Sequence, residues 1–138
     1  MSNICLGTVK LGVPNYGFSS RPQEPNFEAL HFLNQAEALG IHRFDTSPRY
    51  GNAEQILGTY IEQSQNTPAV SSKIDELNTN DVNSPKKMRT SVKKSLNALN
   101  LEKLDICYLH QNELSILSDA YIQEGLHQLK SDGTILAT

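Results

Sequence analysis

The 138-residue chain has no tryptophan, only two cysteines and no run of Lys or Arg longer than a pair such as Lys86 and Lys87. Each shortage closes off a class of function. With 12 basic against 15 acidic residues and a net charge of -3, the chain lacks the basic face that nucleic-acid binding demands. Cys5 and Cys107 both sit in apolar runs, ICLG and LDICYLH, and are expected to be buried free thiols in a reducing compartment rather than a disulfide. No apolar stretch approaches the roughly 18 residues that would span a bilayer. The N-terminus has no basic segment followed by an apolar one and a cleavage site, so a cytoplasmic location is expected. His31, His42 and His127 show no metal-ligand spacing, and no metal is expected. Without tryptophan there is no indole whose fluorescence could report on a bound ligand.

What the chain does have is enough apolar residue, 38%, for one ordinary domain over 1–138. Ile4 to Thr8 reads as a short strand, followed by the Gly- and Pro-rich loop LGVPNYGFSSRP. From about Asn26 the spacing becomes helical, with Ala29, Phe32, Leu33, Ala36 and Leu39 on one face and Gly40 as a C-terminal stop. Ile41 to Phe44 is the next strand. The helix after it buries Ile56, Leu57, Tyr60 and Ile61 and ends before Pro68. Ala69 to Ile74 is a third strand. Ser84 as N-cap and Pro85 as first helical residue open a helix whose inner stripe is Met88, Val92, Leu96 and Leu99. Leu104 to Leu109 is the fourth strand, the next helix carries Ile122, Leu126 and Leu129 inward, and Gly133 turns the chain into a fifth strand barely begun.

Strand and helix thus alternate four times, which implies parallel strands joined by helical crossovers. A flavodoxin-like open sheet and half of a (β/α)8 barrel both fit that order. Polar residues favour the barrel: Asp45, Lys73 and His110 each fall at or just past the carboxyl end of a different strand, where barrel active sites are built. Open sheets also use carboxyl ends, so position by itself leaves both open.

The stretch from Phe44 to Gly58, FDTSPRYGNAEQILG, resembles the second strand, loop and helix of the aldo-keto reductase family, whose motif reads roughly D-T-A/S-x-x-Y-G-x-x-E. Asp45, Thr46, Tyr50, Gly51 and Glu54 are all in register with it. The resemblance implies an α/β fold, the (β/α)8 TIM barrel of aldo-keto reductase type, truncated here to roughly its first four βα units. It implies NAD(P)H-dependent reduction of a small aldehyde or ketone, with NADPH more usual than NADH. Within the family, LGTVKLGVPNYG most resembles bacterial members linked to envelope polysaccharide synthesis.

The chemistry expected of such a site can be written from the residues. Adding hydride to a carbonyl puts negative charge on its oxygen, so a proton donor must stand near it. A tyrosine can donate, yet an ordinary pKa near 10 makes it a reluctant acid. A neighbouring ammonium would lower that value, and a carboxylate would hold the lysine in place. An imidazole could orient the substrate oxygen. By resemblance Tyr50, Lys73, Asp45 and His110 take these roles, and Thr8, with Asp45, lies near the nicotinamide. Each also has a plainer reading: Asp45 as a turn cap, Lys73 as a lysine reaching for water, Tyr50 as loop packing and His110 as a structural histidine.

The chain departs from the family in extent. A complete barrel needs about 250 residues, and the family's Ser-Asn pair for the carboxamide, its Gln near the nicotinamide and its basic residues for the 2'-phosphate belong to segments without counterpart here; nor is there a G-x-G-x-x-G. Two expectations follow: an enzyme or enzyme piece, or a catalytically inactive fragment that cannot hold the cofactor. The first and fourth strands are expected to be open edges, which would favour self-association.

Overall fold

The computed structural model describes residues 4–17 and 28–138. In chain order the elements are β1 (Leu6–Gly7), α1 (Val9–Gly12), α2 (Ala29–Ala38), β2 (Arg43–Asp45), α3 (Ala53–Gln63), β3 (Ala69–Ile74), α4 (Ser84–Leu99), β4 (Leu104–Leu109), α5 (Leu114–Leu117), α6 (Ala120–Ser131) and β5 (Ile135–Ala137). All neighbouring strands pair parallel, in the order β1-β2-β3-β4-β5. That order decides between the two architectures the alternation left open. A doubly wound sheet reverses its strand order at a switch point, whereas a barrel adds each strand beside the last. Here every crossover advances one position the same way, as in the arc of a (β/α)8 barrel.

The two faces of the sheet differ. On the helix side Phe44, Val70, Ser72, Ile74 and Cys107 are buried, while their neighbours Arg43, Asp45, Lys73 and Tyr108 are part-exposed or exposed. The core therefore lies between the sheet and α3, α4 and α6. Phe44 meets Tyr60 of α3 edge to face, with ring centroids 5.6 Å apart. Helix α4 buries Met88, Val92, Ser95, Leu96 and Leu99, the i, i+4, i+7, i+8, i+11 stripe that a helix packed on a sheet requires. Helices α3 and α4 cross closely because residue 58 is glycine: a Cβ there would stand 2.1 Å from the Ala98 carbonyl oxygen.

Several expectations need correction. The edge strands are β1 and β5, since β4 is paired on its far side through Leu104↔Ile135 and Ile106↔Ala137; even three residues suffice to extend a parallel ladder. Cys107 is buried, but Cys5 is exposed and both thiols are free; Cys5 immediately precedes the two-residue strand at the edge of the described sheet. Burial pushes the Cys107 thiol up to about 12, with the charge of Glu54 adding to it. Phe32 and Leu39 are exposed on α2 while Leu33 and Ala36 are buried; Leu39 has left the helix at its C-cap, where Gly40 takes φ +82. Ser84 is the first residue of α4 and Asn83 the N-cap. The expected helix start at Asn26, and much of the loop after β1, lie outside the described residues. No helix among the described residues is long and apolar enough to cross a membrane.

Candidate active site

Parallel strands deliver their carboxyl ends to one rim, and three of the four candidate residues stand there. Asp45 is the last residue of β2, Lys73 the penultimate residue of β3, and His110 follows β4, its amide extending the ladder to the Ile74 carbonyl at 2.8 Å. Tyr50 comes from the loop between β2 and α3. Lys73 Nζ donates to Asp45 Oδ1 and Oδ2 at 2.9 and 2.7 Å and to the Thr46 carbonyl at 2.9 Å, which uses all three ammonium hydrogens. The same nitrogen lies 5.1 Å from the Tyr50 ring centroid. Tyr50 and His110 face each other edge-on, centroids 6.4 Å apart at 76°. The four side chains thus form one cluster. In a part-buried pair such as Lys73 and Asp45 the cost of desolvation offsets much of the attraction, so its main effect is to hold charge in a fixed place.

Apart from Thr8, the supporting contacts come from residues that sequence reasoning passed over. Ser71, two residues before Lys73 on the same strand, donates to Asp45 Oδ1 at 3.1 Å. Thr8 is buried just past the end of β1, and both its amide and its hydroxyl donate to the Asp45 carbonyl, at 2.9 and 3.0 Å, so its hydroxyl hydrogen is engaged by the protein. Tyr50 is set by a β-turn over SPRY. Pro48 supplies the fixed φ favoured at the second position, the Ser47 carbonyl accepts from the Tyr50 amide at 3.0 Å, and Ser47 Oγ accepts from the Arg49 amide at 3.2 Å. Arg49 pairs with Asp75 at the end of β3. The S-P pair was the signal available for this turn.

The first loop buttresses the second. At Gly12 a Cβ would lie 1.7 Å from the Tyr50 carbonyl oxygen and 2.7 Å from the Ala53 amide, and Gly51, at φ +57, meets Gly12 from the other side. The backbone that carries Tyr50 is therefore pressed against the end of α1, and only glycine allows the approach. Gln111 next to His110 pairs its side-chain amide with the backbone of Leu77, at 2.6 and 2.9 Å, which ties the loop after β3 to the loop after β4.

Glu54, the last position of the motif stretch, is not in the cluster. It is buried beneath the sheet, where Ser72 Oγ donates to Oε1 at 2.7 Å. Burial raises its carboxyl above the ordinary glutamate value, against the opposing pull of hydrogen bonds from Ser72 and Ser95 and the charge of Lys73.

For a carbonyl compound and a nicotinamide, the donor set fits at the reactive end: a hydroxyl, an imidazole and a paired ammonium converge on one open rim. Lys73 within the cluster and Arg49 beside it each already face a carboxylate, so neither is set as a free phosphate ligand.

A model of the Aldo/keto reductase family matches residues 3–138. L-galactose dehydrogenase of Arabidopsis thaliana is 31% identical over 142 residues, covering 93% of this chain and 44% of that protein. Among solved structures, a protein from Pseudomonas aeruginosa assigned to the aldo-keto reductases superposes with a TM-score of 0.75 at 32% identity, over 95% of this chain and 52% of its own. Glycerol dehydrogenase of Gluconobacter oxydans gives 0.70 at 26% identity, over 95% and 42%. The chain spans about half the length of these relatives.

Proposed function

Since the chain belongs to the aldo/keto reductase family, we propose that it serves NAD(P)H-dependent reduction of a small aldehyde or ketone to the alcohol, with NADPH preferred to NADH. The observation that carries this reading is the single cluster of Asp45, Tyr50, Lys73 and His110 at the carboxyl rim of three adjacent strands. When bound, the nicotinamide supplies the hydride that adds to the carbonyl carbon. Tyr50 gives its phenolic proton to the carbonyl oxygen, and the phenolate left behind is stabilised by the Lys73 ammonium. Asp45 holds that ammonium over the ring and, with Thr8, borders the place assigned to the nicotinamide. His110 donates to the carbonyl oxygen and sets its direction. Proton donation at fixed geometry supplies about 100-fold or more.

The direct test is oxidation of NADPH with simple aldehydes, wild type against Tyr50→Phe, at least about a 100-fold loss being expected. Unchanged turnover in that variant would overturn the role of Tyr50. A second reading, that these 138 residues do not retain the nucleotide alone, draws on the half coverage of the relatives and on the paired state of both cations at the rim. Calorimetric titration with NADPH separates the two: micromolar binding supports the enzyme, and no heat up to millimolar cofactor supports the second reading. We also propose self-association through β1 and β5, the outer strands of the described sheet, on the second of which Leu136 is exposed; sedimentation as a monomer would count against it.

A further inference from the structure

The least explained contact at the rim is that between Ser47 and His110. Ser47 is fully buried, and its Oγ lies 3.2 Å from His110 Nδ1. A serine hydroxyl has one hydrogen to give and two lone pairs to receive with. One lone pair is taken by the Arg49 amide at 3.2 Å. If Nδ1–H also donated to Oγ, the hydroxyl hydrogen would be left buried with no other acceptor recorded among the described residues, at the full cost of an unmade hydrogen bond. With Oγ–H donating to Nδ1 instead, both hydrogens at Ser47 Oγ, its own and that of the Arg49 amide, are paired. Nδ1 is then the acceptor, and the ring's single proton must sit on Nε2.

From this we propose that Ser47 is a positioning residue: it fixes His110 as the Nε2–H tautomer and holds that N–H toward the rim where the carbonyl oxygen is placed. The proposal rests on the reading of His110 as the group that meets that oxygen. The surrounding geometry leaves the ring little other freedom. Its backbone is pinned by the amide bond to Ile74, its ring stands steeply inclined to that of Tyr50, and Ser47 meets Nδ1. Ser47 also opens the turn whose last residue is Tyr50, so one serine sets the proton donor through its carbonyl and the orienting imidazole through its hydroxyl. An alanine at this position would keep the turn and lose the tautomer.

The test is nitrogen NMR of the whole chain with 15N-labelled histidine, at mildly alkaline pH where imidazoles are neutral, with the His110 resonances identified by their loss in His110→Asn. Wild type is expected to show a single Nε2–H tautomer. Ser47→Ala should shift it toward the averaged pattern of an imidazole free in water, and Ser47→Thr, which keeps a hydroxyl, should restore it. In turnover, Ser47→Ala is expected to lower kcat/KM for the carbonyl substrate roughly 10-fold, the order one hydrogen bond supplies, with NADPH affinity unmoved. An Nδ1–H tautomer in wild type, or an unchanged spectrum in Ser47→Ala, overturns the proposal. The spectra need no activity, so failure of the carbonyl-reduction reading would be seen separately.

Discussion

Two carboxylates nine residues apart in one motif, Asp45 and Glu54, end on opposite faces of the same sheet. Asp45 closes β2 on the open face and meets an ammonium at 2.7 Å. Glu54 begins α3 on the covered face and meets a serine hydroxyl at 2.7 Å. The first is set in a charged cluster that is part-exposed to solvent. The second is desolvated, and its carboxyl is raised for that reason first. Burial without a counter-charge favours the neutral acid, whereas a cation at contact distance favours the anion. A sequence motif can therefore place one carboxylate in the rim cluster proposed for catalysis and one in the packed core, and only the face of the sheet separates them.

The largest blow to the covered face is Phe44→Ala. Phe44 is fully buried against Tyr60, and its loss should cost about 3–5 kcal/mol, read as a fall in the denaturation midpoint of the chain. The matching blow to the open face is Asp45→Asn, which removes the negative charge that Lys73 faces. Turnover should fall roughly 100-fold, with a much smaller shift in midpoint than Phe44→Ala; a midpoint shift as large as that of Phe44→Ala would show that Asp45 is structural after all. Gly12→Ala tests the link between the first loop and Tyr50. Its Cβ has no room beside the Tyr50 carbonyl, so a destabilisation of about 1–3 kcal/mol is expected, together with weakened catalysis.

The smallest effect sharpens the comparison most. The folded-state carboxyl of Glu54 is raised above its ordinary value of 4.5, so the folded protein binds that proton more tightly than the unfolded chain does. Its contribution to stability is complete below 4.5 and is lost as pH rises through the folded value. Glu54→Gln should remove that part of the pH dependence, and its stability relative to wild type should improve from low toward neutral pH. Chemical denaturation at several pH values measures this. A relative stability that does not change with pH would mean that Glu54 titrates as it does in water.

Much of the fold could be read from local pattern. The bounds of β3 and β4 coincide with the apolar runs AVSSKI and LDICYL, and the stripe Met88, Val92, Leu96, Leu99 is buried as its spacing requires. Short features were less legible. Helices α1 and α5 have four residues each, too few for a period to show, and β5 pairs although it has three residues. At the site, the types and order of Asp45, Tyr50, Lys73 and His110 were visible, but the supports were not. Ser47, Ser71 and Gly12 are small and common residues whose meaning depends on what faces them across 63, 26 and about 38 positions of chain.

The sequence by itself determined the alternation of strands and helices, because side-chain period is a local property of the backbone, and it determined which residue types stand at strand ends. Tertiary structure alone decided the strand order that distinguishes a barrel arc from a doubly wound sheet. It also decided that Glu54 faces the core while Asp45 faces the rim, and that Ser47 reaches His110. Those outcomes depend on contacts between distant segments, and their energies exist only once the parallel strands have been brought side by side.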